Sequence, residues 1–102
     1  MPVNTSADGE FALAVYQCLS MVPAGQVTTY KQLATLAGFP RHARFVGRLM
    51  AGLPDQSRLP WWRVVRSDGD ITQGERQKAL LLDEGVVVLG NKVVLHQSGF
   101  RP

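Results

Sequence analysis

Thr29-Tyr30-Lys31-Gln32-Leu33-Ala34-Thr35-Leu36-Ala37-Gly38-Phe39-Pro40-Arg41-His42-Ala43-Arg44-Phe45-Val46-Gly47-Arg48 is the stretch from which the fold can be read. Thr29 and Gln32 have the spacing of a capping box, in which a hydroxyl and an amide satisfy each other's backbone donors. The spacing therefore predicts a helix that opens at Tyr30 and runs through Leu33, Ala34, Leu36 and Ala37. Gly38 ends it, as a glycine at the first position past a helix does. Pro40 suits the entry to a second helix, expected from residue 41 to about 51. That helix places Phe45, Val46, Leu49 and Met50 on one face and Arg41, Arg44 and Arg48 on the other. Gly47 costs about 1 kcal/mol of propensity against alanine, which makes sense if another backbone packs closely there. Two short helices joined by a tight glycine turn, the second with a basic face, form a helix-turn-helix pattern.

Outward from this core, Phe11, Val15, Cys18, Leu19 and Val22 recur at helical spacing, so a helix is expected over about 9–20, with Asp8 as its N-cap. Pro23-Ala24-Gly25-Gln26 reads as a turn. On the other side, residues 52–57 read as loop and 63–66 as a short strand. Ser67-Asp68-Gly69-Asp70 is a turn, and 77–84 a helix that buries Leu80, Leu81 and Leu82 and stops at Gly85. Val86 to Leu89, Gly90-Asn91 and Lys92 to Leu95 make a hairpin signal, followed by a frayed tail over 97–102. The fold class expected is mainly α: one winged helix-turn-helix DNA-binding domain over 1–102 with a small C-terminal β-hairpin.

The 102 residues suffice for one domain with a real core. The net charge of +3 permits nucleic-acid binding without establishing it. A single cysteine, Cys18, allows no internal disulfide and points to a reducing, cytoplasmic setting. The start of the chain has no basic leader, and no stretch approaches the ~20 apolar residues of a membrane span. His42 and His96 are isolated, so no metal or cofactor is expected.

Individual side chains leave choices open. The arginine stripe suits phosphates or base edges, or is a solvated helix face. Tyr30, in a first helical turn, could touch DNA or pack. Cys18 lies on an apolar face, where cysteines are usually inert. Glu84 is a general base or a structural charge. Pro60-Trp61-Trp62-Arg63-Val64-Val65 is an unusual loop: each indole needs both a packing surface and an acceptor for its N–H. The pair is either core packing or the wall of an apolar cleft for a flat ligand such as a base.

Taken together, Val22 to Ala34, Ala37-Gly38-Phe39-Pro40, Ala43 to Gly47, and then Pro60, Arg63-Val64-Val65, Gly69, Lys78, Leu81-Leu82 and Glu84-Gly85 resemble, in order, the DNA-binding half of the O6-alkylguanine-DNA alkyltransferases. The likeness spans roughly residues 9–86. Those enzymes carry Pro-Cys-His-Arg-Val where this chain has Pro60-Trp61-Trp62-Arg63-Val64. With tryptophan at the nucleophile position and no N-terminal domain ahead of it, the chain resembles the non-catalytic branch, the alkyltransferase-like proteins.

The resemblance implies roles residue by residue. Arg44 matches the arginine finger that enters the duplex and fills the gap of a flipped nucleotide, and Ala43 the small neighbour that lets the helix sit in the minor groove. Tyr30 matches the tyrosine that turns the target phosphate. Trp61, Trp62, Val64, Thr72 and Tyr30 are then expected around the lesion pocket. Thr29, Lys31, Arg41, Arg48 and Ser67 complete the expected DNA-contacting set. Glu84 matches the distal carboxylate of a proton relay that has lost its other members. Three departures stand out: Trp62 replaces the relay histidine, Leu53 replaces a hinge asparagine before Pro54, and the segment from Gly69 to Lys78 is short. An additional loop arginine that some relatives set against the alkylated base has no obvious counterpart in the sequence.

The expected function is that of a monomeric sensor that binds double-stranded DNA containing O6-alkylguanine. It would flip the base without removing the alkyl group and mark it for nucleotide excision repair proteins. Its competitors are a winged-helix transcription factor that reads undamaged sequence, and an alkyltransferase that uses Cys18.

Overall fold

The computed structural model describes residues 7–54 and 57–102. Its elements are helix α1 (Ala7–Ser20), strand β1 (Thr28–Thr29), helices α2 (Tyr30–Leu36) and α3 (Ala43–Ala51), strand β2 (Val64–Val65), helix α4 (Glu75–Asp83), strands β3 (Val88–Leu89) and β4 (Lys92–Val93), and a single turn α5 (Leu95–Ser98). This is the helical architecture expected, with α2 and α3 as the helix-turn-helix and β3–β4 as the hairpin. The loop at Asp55-Gln56 and the reading of the first four residues lie outside the described residues.

The turn between α2 and α3 follows from Gly38. At φ +91° it takes the left-handed conformation that ends a helix. Its N–H then reaches Thr35 O (3.0 Å), and the Phe39 N–H reaches Ala34 O (2.8 Å). This is the double closure of a Schellman motif. Thr29 caps α2 as expected, accepting from Gln32 N at 3.0 Å. The reciprocal half of the capping box does not form. The Gln32 amide is drawn away by two stronger offers: its carbonyl accepts from the Thr28 hydroxyl, and its NH2 donates to Phe100 O at 2.9 Å.

That second bond also explains why the tail is not frayed. Val27 N donates to Ser98 O (2.8 Å) and Phe100 N to Val27 O (2.7 Å), so residues 98–100 lie along β1 as a further extended edge. Other boundaries shift too. α1 begins at Ala7, which puts Asp8 inside its first turn instead of at the cap. α3 begins at Ala43 with His42 at its cap, so Arg41 precedes the helix.

Two apolar clusters form the core. One gathers Phe11, Val15, Leu19, Leu33, Ala34, Val46, Met50 and Val64 beneath α1–α3. The other gathers Val27, Val65, Ile71, Leu81, Val86 and Val93 beneath α4 and the hairpin. Strand β2 is the seam between them. Because successive side chains of a strand point to opposite faces, Val64 enters one cluster and Val65 the other. β2 runs parallel to β1, with Thr28 opposite Val64 and Thr29 opposite Val65.

The second cluster differs from expectation. Leu81 is fully buried, but Leu82 is 51% exposed and Leu80 half-buried. The position facing inward is Gln77, with no exposed surface. Its carbonyl accepts from Gln73 N (2.9 Å), and its NH2 donates to Trp62 O (3.0 Å) and Val64 O (2.7 Å). The hairpin is tied to the same region. Val93 N donates to Gly69 O and Ile71 N to Asn91 O. Gly69, at φ +89°, lies so close that a Cβ there would be 2.4 Å from Val93 O.

Arg63 joins the two halves. Its guanidinium donates to both carboxylate oxygens of Glu84 and to Val22 O (2.8 Å), a paired fork suited to its planar geometry. Burial pushes the Glu84 carboxyl up, but the Arg63 hydrogen bonds and charge, aided by the nearby Trp62 indole, outweigh this and hold its pKa below the ordinary value of 4.5. Glu84 is therefore a structural charge, as one of the two sequence readings had it.

Two outcomes are expected. Gln77→Ala strips a partner from the buried Val64 carbonyl and from the partly buried Gln73 N–H and Trp62 carbonyl, and should cost about 2–4 kcal/mol in urea denaturation. A loss below about 0.5 kcal/mol would show that the amide is dispensable. For Glu84, a folded pKa lower than the unfolded one means that the stabilisation is present above the unfolded value and is lost as pH falls through the folded one. Urea midpoints should therefore fall from about pH 5 downward, and this acid loss should be shallower in Arg63→Gln. Parallel profiles for the two proteins would rule out the pair as its source.

Candidate nucleic-acid interface

The basic face is assembled by three segments. Lys31 comes from the first turn of α2, Arg44 and Arg48 from α3, and Arg66 and Ser67 from the turn after β2. All are exposed. Among the described residues the ion pairs are Arg63–Glu84 and Lys92–Asp68, so Lys31, Arg41 and Arg44 form no ion pair with a described acid, and Arg66 has only the longer-range attraction of Asp68. They border two adjoining open depressions. The larger, about 610 Å³, is lined by Lys31, Pro40, Arg41, Ala43, Arg44, Phe45, Arg48 and Ser67. The other, about 570 Å³, is lined by Tyr30, Lys31, Ala43, Arg44, Gly47, Arg66, Ser67, Thr72 and Gln73.

Local sequence explains the shape. Ala43 and Gly47 lie one helical turn apart on the side of α3 that faces the second depression, and neither projects beyond a methyl group. No atom lies within 4 Å of where a Gly47 Cβ would be. No close backbone of the described residues meets Gly47, and the glycine leaves open space there. Phe45, expected in the core, is 45% exposed. Its ring lies 5.0 Å beneath the Arg48 guanidinium, a cation–π contact, and 5.3 Å from His42. Val46 and Met50 take the core positions, as expected.

A third, smaller cavity of about 200 Å³ opens beside this face. It is lined by Met50, Ala51, Leu53, Pro54, Trp61, Gln73 and Arg76. The two tryptophans occupy a single 3-10 turn, Trp61–Arg63, and their rings meet edge to face at 5.9 Å. They part company across the seam of β2. Trp61 packs on the helical cluster and forms a wall of the cavity. Trp62 packs on the other cluster, with Arg63 over its ring at 5.2 Å. The buried Trp62 indole N–H makes no hydrogen bond of good geometry, although it lies near enough to Glu84 to favour the carboxylate charge.

The expected pocket residues are thus only partly together. Trp61 lines the small cavity. Tyr30 and Thr72 line the neighbouring depression and meet through their hydroxyls at 3.1 Å. Trp62 faces away. Val64 is fully buried, with its carbonyl engaged by Gln77, so its side chain borders neither space. Thr29 is occupied as the cap of α2. Cys18, half-buried on α1 with its thiol pKa raised by burial, packs on the helical cluster and borders none of the three spaces.

Three residues at the site were missed in the sequence. Arg76 lies over the Trp61 ring at 5.7 Å. It was hidden because the helix was expected to open at Gln77; it opens at Glu75, and Arg76 lines the cavity. Arg66 was read only as the end of a strand. Gln73 lies in the short segment between Gly69 and Lys78, and it lines both the Trp61 cavity and the Tyr30 depression.

No group of three or more histidine, cysteine or carboxylate side chains among the described residues could hold a metal, and no described helix is long and apolar enough to cross a membrane.

Comparison with known proteins places this arrangement. The family described as "6-O-methylguanine DNA methyltransferase, DNA binding domain" matches residues 10–86. A DNA base-flipping protein of Vibrio parahaemolyticus is 37% identical over 98 residues, covering 91% of this chain and 98% of its own. Alkyltransferase-like protein 1 of Schizosaccharomyces pombe is 41% identical over 85 residues, covering 78% and 79%. The crystal structure of S. pombe Atl1 in complex with damaged DNA containing O6-carboxymethylguanine superposes with a TM-score of 0.86 at 34% identity, covering 91% of this chain and 96% of that one. With its helix-turn-helix, its basic face and tryptophan in the cavity wall, the chain belongs to the 6-O-methylguanine DNA methyltransferase DNA-binding-domain family, and within it to the alkyltransferase-like group.

Proposed function

We propose that this protein binds double-stranded DNA containing O6-alkylguanine as a monomer, turns the damaged base out of the helix into the Trp61 cavity, and holds it there with the alkyl group intact. The bent, marked duplex is then handed to nucleotide excision repair proteins. The observation that carries the reading is the cavity walled by Trp61 beside an unneutralised basic face: an aromatic ring can pack against a base, and an indole cannot accept an alkyl group as a thiolate does.

The physical steps agree with one another. Arg41, Arg44, Arg48, Lys31, Arg66 and Ser67 meet phosphates and fix the register. Ala43 and Gly47 let the DNA backbone come close to α3 in the minor groove. Flipping costs a few kcal/mol of stacking, least at a damaged base, and the uncommitted Arg44 fills the vacated space. Tyr30, at the edge of the second depression, turns the phosphate of the flipped nucleotide. Where the wall is apolar, at Met50, Leu53, Pro54 and Trp61, an added alkyl group gains about 0.8 kcal/mol per buried methylene. The small cavity lies below the ~300 Å³ at which drug-sized sites begin, which suits one ring system and not a whole nucleotide. No cofactor enters. The relatives named for base flipping and the S. pombe complex with damaged DNA support the same reading.

Two matched duplexes, one with O6-methylguanine and one with guanine, test it. The lesion duplex should bind more tightly and be recovered with its methyl group. Arg44→Ala should weaken lesion binding by at least about tenfold, or ~1.4 kcal/mol. Equal affinity for the two duplexes would favour a transcription factor that reads undamaged sequence. Loss of the methyl group, with a matching mass gain on Cys18, would mean a transferase.

A further inference from the structure

Gln73 stands at the junction between the space where a duplex would lie and the space where a base would go. It borders both the Tyr30 depression and the Trp61 cavity. Its backbone is fixed: Gln73 N donates to the Gln77 carbonyl at 2.9 Å, and Gln77 is itself locked to Trp62 O and Val64 O. Its side chain is barely committed. The carboxamide NH2 reaches the Tyr30 hydroxyl at 3.4 Å, a long contact near the limit at which a hydrogen bond counts, while that hydroxyl already meets Thr72 at 3.1 Å. An amide has both donors and an acceptor and so can answer either kind of group on the polar edge of a purine. A half-buried amide on a rigid backbone, with one weak partner that another residue can replace, can be released at little cost.

We infer that Gln73 is a specificity-determining residue. In the free protein its amide bridges to Tyr30 across the mouth of the inner cavity. When a base enters, the amide leaves Tyr30 to Thr72 and hydrogen-bonds the edge of the base. This inference rests on the proposed lesion-binding function and adds to it a residue that contacts the base.

The test compares wild type, Gln73→Met and Gln73→Ala on the O6-methylguanine and guanine duplexes by fluorescence anisotropy. Methionine keeps the length of the side chain without its donors, and both variants keep the backbone N–H that Gln77 holds, so thermal melts should match wild type. Both variants should lose about five- to tenfold in affinity for the lesion duplex and bind the guanine duplex as wild type does. Full lesion preference in Gln73→Met would overturn the inference while leaving the function standing. An equal loss on both duplexes would also overturn it, showing that Gln73 acts on DNA in general. Absence of preference in wild type itself would overturn the function and this inference with it.

Discussion

One buried amide sets the geometry on which the site depends. Gln77 sits on the inner face of α4, where a leucine would have given a simpler core, and each of its polar atoms is used. It holds Trp62 and Val64 on one side and the backbone of Gln73 on the other. The 61–64 segment and the 72–74 segment are thereby fixed relative to each other, and each contributes one residue, Trp61 and Gln73, to the lining of the small cavity. A polar group in that position is costly if any partner is lost. The strict satisfaction seen here ties the shape of the cavity to the integrity of the fold.

The same seam explains how two adjacent tryptophans take different jobs. β2 is only two residues long, yet it passes between the two apolar clusters, and the 3-10 turn ahead of it, at three residues per turn, breaks the strand alternation and sends the two indoles to different clusters. Trp61 inherits the helical side and the cavity. Trp62 inherits the hairpin side, where Arg63 and Glu84 surround it. The Arg63–Glu84 pair then closes the back of the site, joining the end of the α1 segment through Val22 to the end of α4. The basic face is lined by Lys31, Arg41 and Arg44, which form no ion pair with a described acid, so charge among the described residues is spread unevenly.

Much of this was legible in the residues. The Thr29 cap, the Gly38 turn and the basic α3 were read from spacing alone, because each depends on local geometry. What escaped depended on contacts between distant segments. The Gln32 amide left its capping box for Phe100, 68 residues away, and no local rule could foresee that. Leucines 80–82 looked like core by composition, but only one face of α4 meets the body of the protein, and the inward position belongs to Gln77. The start of α3 was misplaced by two residues, and Phe45, grouped with the core side chains, lies at the surface under Arg48. A similar error at α4 hid Arg76. At the site, Tyr30, Trp61 and Arg44 were named through family likeness, whereas Gln73 and Arg66 could be found only from the cavities they border.

The separation of the tryptophans has an optical consequence. Both indoles absorb in the same band, but only Trp61 borders an open cavity, with a cation over its ring. Trp62 is held between a guanidinium and a carboxylate. With the two rings in edge-to-face contact at 5.9 Å, excitation passes between them, and the intrinsic fluorescence of the protein is a joint signal of the pair. Because Trp61 borders the cavity, filling that space would change this signal without any attached dye.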